Sequence, residues 1–196
     1  MWPVFQSTTH LNNMNKIYYS EKQVRAWIHS IAREMYIDRW RPDYIVGINR
    51  GGLVPAAMLS HFLDVPMHTL DVSFRDSSIG PESNLWMAED AFGYIPVDMQ
   101  QGIDKRSDAT YKKNILIVDD INDTGRTLQW IKDDWQSSCL PNDTDWKYVW
   151  NSNVRFAVMI NNNDSKFNDV DYTGLEINKL ETPVWCVFPW EAWWEQ

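Results

Sequence analysis

Residues 115–128 read ILIVDDINDTGRTL, an apolar run that ends on two aspartates and then turns through Asp-Thr-Gly into a hydroxyl-bearing helix start. The run predicts a strand buried on both faces, with Asp119 and Asp120 at its end. Asp123, Thr124, Gly125, Arg126 and Thr127 follow at the start of a helix. There, backbone N–H groups and the hydroxyls of Thr124 and Thr127 can converge on one anion at the positive helix end. Gly125 permits close approach of the backbone. Two carboxylates beside a phosphate would repel it unless they face another group. A sugar diol, which donates hydrogen bonds to ionised acids, meets that need. The stretch therefore predicts a cradle for ribose 5-phosphate.

Competing chemistries fit less well. Asp120, Asn122, Thr124 and Gly125 imitate the first half of a calcium loop, but its twelfth position would be Ile131 instead of a glutamate, and the preceding element reads as a strand. A phosphatase-type aspartate would want an acid two residues on, where Asn122 stands. Asp and Thr are also ordinary helix caps, so a plain capped surface turn is the simplest alternative. Neither GxxxxGK nor GxGxxG occurs, which removes the loops of those types for nucleoside triphosphates and dinucleotides.

The elements that must hold this turn follow from periodicity. From Ser20, SEKQVRAWIHSIAREMYIDRW predicts a capped helix with Val24, Ile28, Ile31 and Met35 on one face. YIVGIN predicts a buried strand ending at Arg50-Gly51-Gly52, and LVPAAMLSHFL a compact helix. VPMHTLDVSF, NILIVDD and VRFAVMI predict further strands, with a helix in TLQWIKDDW. Strands alternating with helices indicate an α/β fold, a parallel sheet covered on both faces. Residues 73–113 are polar and rich in Gly, Pro, Asp and Ser, and predict a lid or an inserted layer. Residues 1–15 predict a tail, and residues 16–196 a single domain.

The totals narrow the partners. Eighteen basic against twenty-seven acidic residues give a net charge of -9, which argues against nucleic acid. No apolar run approaches the roughly 20 residues that span a bilayer, and MWPVFQSTTHLNN lacks the pattern of a signal peptide. Cys139 and Cys186 match no metal spacing and predict free thiols. The expected location is the cytoplasm. Several of the twelve tryptophans crowd into VWCVFPWEAWW, where they would build core, an interface or a site for a flat ligand.

With these residues in view, ILIVDDINDTGRTL resembles the binding motif for phosphoribosyl diphosphate (PRPP) of the type I phosphoribosyltransferases. YIVGINRGGLVPAAMLSHFLDVP is similar to the first strand, diphosphate loop and helix of the xanthine-guanine and hypoxanthine branch. VWCVFPWE is similar to its C-terminal base-binding segment, so the resemblance implies a base-binding hood over residues 176–196. Together these cover most of the chain from Ser20 onward, apart from the long middle segment.

The resemblance implies a role for each matching residue. Asp119 and Asp120 would bind the ribose hydroxyls, directly or through Mg²⁺. Asp123 would exchange a proton at N7 of a purine, and residues 123–127 would hold the 5-phosphate. Arg50, Gly51 and Gly52 would grip the diphosphate. Trp185 would stack on the base and Cys186 would offer it backbone groups. Where the branch has a lysine that donates to the 6-oxo group this chain has Asn162, with Lys166 nearby, and where xanthine-guanine enzymes have an acid it has Val187. Ser73-Phe74 would mark the mobile loop, with Trp86, Glu89, Asp90, Phe92 and Tyr94 sealing out water or meeting a second subunit. The implied reaction joins a base to PRPP with release of diphosphate, in a homodimer or homotetramer. A PRPP-sensing regulator, or a transferase for another base, are the alternatives.

Overall fold

The computed structural model describes residues 15–72, 85–93, 112–191 and 194. Strands β2 (Tyr44–Asn49), β3 (Met67–Asp71), β4 (Ile115–Asn122), β5 (Val154–Asn162) and β6 (Tyr172–Ile177) form one five-stranded sheet. The spatial order is β3-β2-β4-β5-β6, and all pairs are parallel. Helices α1 (Glu21–Ile37) and α2 (Leu53–Leu63) cover one face; α3 (Leu85–Phe92) and α4 (Arg126–Ser138) cover the other.

Strand alternation explains the two layers. Tyr44, Val46, Ile48, Ile115 and Ile117 point into the core under α3 and α4; Ile45, Leu116 and Val118 point into the core under α1 and α2. Because both faces are buried, the strands read as continuous apolar runs. Helix α1 begins as its sequence requires: Gln23 N donates to Ser20 Oγ at 3.3 Å, and Ser20 N donates to Gln23 Oε1 at 3.0 Å. The expected stripe of Val24, Ile28, Ile31 and Met35 is buried.

Several elements depart from expectation. Residue 15, assigned to the tail, already lies in β1 (Asn15–Tyr18), which pairs in parallel with β7 (Val184–Val187) as a separate two-stranded sheet. Neither β1 nor β6 has a long apolar run, so local pattern does not announce them, and the apolar run of β7 carries no periodicity that separates strand from other buried chain. Helix α3 lies inside the polar insertion, with Met87, Ala88 and Ala91 buried. Trp86 packs on Tyr44 and His68 at 5.7 and 5.0 Å between ring centroids, and Phe92 packs on Trp146 at 5.3 Å. Tyr44 opens β2 and His68 is the second residue of β3, so Trp86 packs at the amino end of the sheet and not over the acid pair, where a water-excluding seal would need it. Ser73, Phe74 and Tyr94 lie outside the described residues.

The tryptophans are largely structural. Trp146 stacks on Trp150 at 5.5 Å, Trp150 on Phe156 at 6.0 Å, and both Trp146 and Trp135 of α4 are fully buried. This aromatic layer fills the space between α4 and β5, where shorter side chains would leave voids. Cys139 and Cys186 are both free and buried.

Candidate functional site

The sheet changes direction of growth between β2 and β4: β2 continues through α2 to β3 on one side, while β4 continues through α4 to β5 on the other. Such a switch point opens a crevice beyond the carboxyl ends of the strands. The opening is visible in the register. Pairing of β2 with β4 stops at Gly47 with Val118, whereas β4 with β5 continues to Asn122. Asp119 and Asp120 thus project where β4 has lost one neighbour.

The acid pair is held in a costly state. Asp120 N donates to Asp119 Oδ1 at 2.9 Å, and Asp119 is 8% exposed. Burial, and then the neighbouring Asp120 charge, pushes the Asp119 carboxyl well above the usual range. Burial, then the charge of Glu191, raises Asp120 to about 6. Two hard oxygen donors that repel each other are a fit for a small divalent cation, whose charge would relieve them. The described residues hold no cluster of three or more His, Cys, Asp or Glu side chains arranged as a complete metal cage. The remaining coordination positions would then belong to substrate oxygens and water, as Mg²⁺ commonly arranges.

The turn after β4 leads directly into α4. Gly125 caps α4 at φ +83°, and no side-chain cap bonds to the first turn of the helix. A helix start with glycine at its cap can receive an anion at its first N–H groups. Gly125 is demanded twice, by its left-handed conformation and by packing, since a β-carbon there would lie 2.6 Å from Phe167 N. A buried polar network that the sequence did not suggest secures this packing. Ser165 Oγ donates to Asn122 Oδ1 at 2.8 Å, and Asn122 Nδ2 donates to Phe167 O at 2.9 Å.

Opposite stands the β2–α2 turn. Its Asn49–Arg50 peptide is cis, Arg50 is exposed, and Gly52 N donates to Ile48 O at 3.0 Å. Gly51 touches the Asp120 carboxylate, so the two motifs form one packed unit.

The far end of the cavity comes from β7. Trp185, 37% exposed, pairs with Lys16 of β1, and Cys186 pairs with Ile17. The Tyr19 hydroxyl lies 4.0 Å from Cys186 Sγ, and burial raises the Cys186 thiol despite the nearby Lys179 charge. Phe188 stacks on Trp190 at 4.9 Å and an interplanar angle of 10°, and Phe188 N donates to Glu191 Oε2 at 3.1 Å. Together, residues 119–128 with Lys179, Trp185, Cys186, Phe188 and Glu191 line a cavity of about 340 Å³. This brings Asp119, Asp120, Asp123, Thr124, Gly125, Arg126, Thr127, Trp185 and Cys186 to one cavity, while Arg50, Gly51 and Gly52 are not among its lining residues.

Asn162 requires correction. Instead of presenting its amide to this cavity, it donates from Nδ2 to Asp123 O at 2.9 Å and accepts at Oδ1 from Lys179 N at 3.0 Å and Asp164 N at 3.3 Å. It is 5% exposed and lines an adjoining cavity of about 330 Å³ with Lys166 and Lys179. Val187 is buried in β7, and the acid near Asp120 is Glu191. Lys179 and Glu191 were legible only as residues near the Trp185 segment, with no motif to mark them.

Comparison with known proteins agrees with the geometry. The phosphoribosyl transferase domain family matches residues 10–192. The hypoxanthine-guanine phosphoribosyltransferase of Schizosaccharomyces pombe is 24% identical, with 90% of this chain and 89% of that protein covered. Xanthine phosphoribosyltransferase 1 of Saccharomyces cerevisiae is 20% identical, with 90% of each covered. The crystal structure of the purine phosphoribosyltransferase from Pyrococcus horikoshii superposes with a TM-score of 0.59 at 27% identity, covering 91% of this chain and 95% of that one. With a parallel sheet, a switch-point crevice and an open helix start beside paired acids, the chain belongs to the phosphoribosyl transferase domain family.

Proposed function

We propose that the protein transfers the 5-phosphoribosyl group of PRPP to a ring nitrogen of an oxo-purine such as hypoxanthine, guanine or xanthine, releasing diphosphate in purine salvage. The observation that carries this reading is one cavity lined by an acid pair, an uncapped helix start, Asp123 and the Trp185 ring. The similarity to purine phosphoribosyltransferases supports the substrate class.

Each part has a task. Residues 123–127 would hold the 5-phosphate through backbone N–H groups and the hydroxyls of Thr124 and Thr127. Asp119 and Asp120 would hold the ribose diol and a Mg²⁺ ion, and the ion would supply charge that offsets the departing diphosphate. Arg50, with the backbone of Gly51 and Gly52, would grip the diphosphate and stabilise its growing charge. Trp185 would lie on the face of the base, with Cys186 backbone groups at its edge. Asp123 would receive the proton of the attacking purine. Held this way, base and sugar react as neighbours, and no covalent enzyme intermediate is needed.

Diphosphate release from PRPP with Mg²⁺ across guanine, xanthine, hypoxanthine, adenine, uracil and orotate, with product mass measured, tests the proposal. Release with an oxo-purine is the expected result. Silence with every base, while PRPP still raises the melting temperature, would make the protein a PRPP sensor.

A further inference from the structure

A segment outside both motifs grips the turn after β4 from behind. Residues 162–167 run from the end of β5 into the connection toward β6. Asn162 Nδ2 donates to Asp123 O at 2.9 Å, and Lys166 N donates to Thr124 O at 3.4 Å. Two successive carbonyls of the turn are thus held by one short stretch of chain. That stretch is itself fixed: Ser165 Oγ donates to Asn122 Oδ1 at 2.8 Å and accepts from Phe167 N at 3.2 Å, while Ser165 N donates to Asn162 O at 2.8 Å. Asn122 ends β4 and is 1% exposed, so the Asn122–Ser165 pair ties the segment to the strand that carries the acids. Separating a buried hydroxyl from a buried amide would leave both desolvated, which keeps the pair in register.

Holding a carbonyl also aims an N–H. A trans peptide is planar, with its C=O and N–H pointing in opposite directions. Asn49–Arg50 is the one cis bond among the described residues, so the peptides of this turn are trans. With the Asp123 carbonyl drawn to Asn162, the N–H of Thr124 points the other way; with the Thr124 carbonyl drawn to Lys166, so does the N–H of Gly125. Asp123 and Thr124 line both cavities and form the wall between them, with Asn162 and Lys166 on the adjoining side and the acid pair on the main side. The carbonyls are engaged on the adjoining side, which leaves the two N–H groups directed at the main cavity.

We propose that Asn162 and Ser165 are positioning residues of the phosphate turn: Asn162 holds the Asp123 carbonyl back, Ser165 locks the segment that presents Asn162 and Lys166 N, and together they aim the N–H groups of Thr124 and Gly125 at the 5-phosphate. This inference rests on the phosphoribosyltransferase reading above. It gives Asn162 a task at the sugar-phosphate end of the site in place of one at the base. Donors fixed in direction before the ligand arrives cost no reorganisation when it binds, so the brace acts on affinity for the phosphate and leaves the chemical step to other groups.

The test compares wild type with N162A, S165A and D169N. It measures kcat, KM for PRPP and for hypoxanthine, melting temperature, and calorimetric affinity for ribose 5-phosphate. Asp169 lies in the same connection and pairs with Lys132 of α4 at 2.5 Å, so D169N loosens the loop without removing a bond to the turn. N162A is expected to raise KM for PRPP and weaken ribose 5-phosphate about 10-fold, and S165A about fivefold, with kcat and KM for hypoxanthine within about twofold of wild type. D169N should lower the melting temperature and keep wild-type affinity. Folded variants that bind ribose 5-phosphate like wild type, an N162A loss confined to hypoxanthine, or an equal loss in D169N each overturn the assignment; if N162A does not fold, S165A decides. A wild type that is inactive but binds ribose 5-phosphate refutes the transferase reading alone, and the same titration still decides the brace. A wild type that does neither overturns both.

Discussion

Gly51 is packed directly against Asp120: a β-carbon on Gly51 would lie 2.0 Å from one carboxylate oxygen and 2.4 Å from the carboxyl carbon. No side chain larger than hydrogen fits without moving the acid or the turn that carries Arg50. Because both belong to the proposed binding site, Gly51→Ala is expected to lower kcat/KM for PRPP about 100-fold, the scale of a 1 Å misplacement. Steady-state kinetics and a melting curve check this; activity within threefold of wild type would show that the contact does not set the site geometry.

Asp120 links function to instability. Its value near 6 in the folded protein lies above the ordinary ~3.9. Between those values the folded protein binds more protons than the unfolded chain, so this group makes stability fall as pH rises, and the penalty persists above about pH 6. Asp120→Asn is therefore expected to raise the melting temperature more at pH 7.5 than at pH 4.5, while weakening Mg²⁺-dependent PRPP binding. Melting curves at both pH values decide it, and a lower melting temperature for the variant at pH 7.5 counts against the burial argument.

Mg²⁺ should act on the same charges. With PRPP present, the ion is expected to stabilise the wild-type protein more at pH 7.5 than at pH 5, where part of the acid pair is protonated and less attractive to a cation. Equal shifts at the two pH values would place the ion elsewhere.

Asp123 serves the chemical step in the proposed mechanism. Asp123→Ala is expected to reduce kcat by about 100-fold or more, the usual range for a positioned acid or base. PRPP affinity by calorimetry should change much less, because Thr124, Gly125 and Thr127 still frame the anion site. Undiminished kcat would remove Asp123 from the proton transfer.

Trp185 offers a broad, partly exposed ring to the proposed base site. Trp185→Ala is expected to raise KM for the base roughly 10- to 100-fold, in line with ~1–3 kcal/mol for stacking on an aromatic side chain. Trp185→Phe should restore most of the loss. If both variants bind base like wild type, the ring belongs to the surface of β7 alone.

The local elements were legible because their signals are short-range. The apolar runs of β2, β4 and β5 and the helical stripe of α1 each follow from a buried face repeating at a fixed period. Asp119 to Thr127 stood out as a candidate site because acids, glycine and hydroxyls are adjacent in sequence. Helix α3 was hidden by the polar residues around it, since its small buried face of Met87, Ala88 and Ala91 gains meaning only against α4. Strand β7 was hidden because its partner β1 lies at the opposite end of the chain.

By itself, the sequence determined the alternating architecture and the turn after β4 with the acids beside it, all set by periodicity and by residues that act on near neighbours. Only the tertiary structure decided that Gly51 abuts Asp120, that burial and then Glu191 raise it, and that Asn162 binds backbone while Lys179 pairs with Asp123. Those relations join residues far apart in sequence, and the direction of a side chain at such a meeting is set by which backbone groups around it still need a partner.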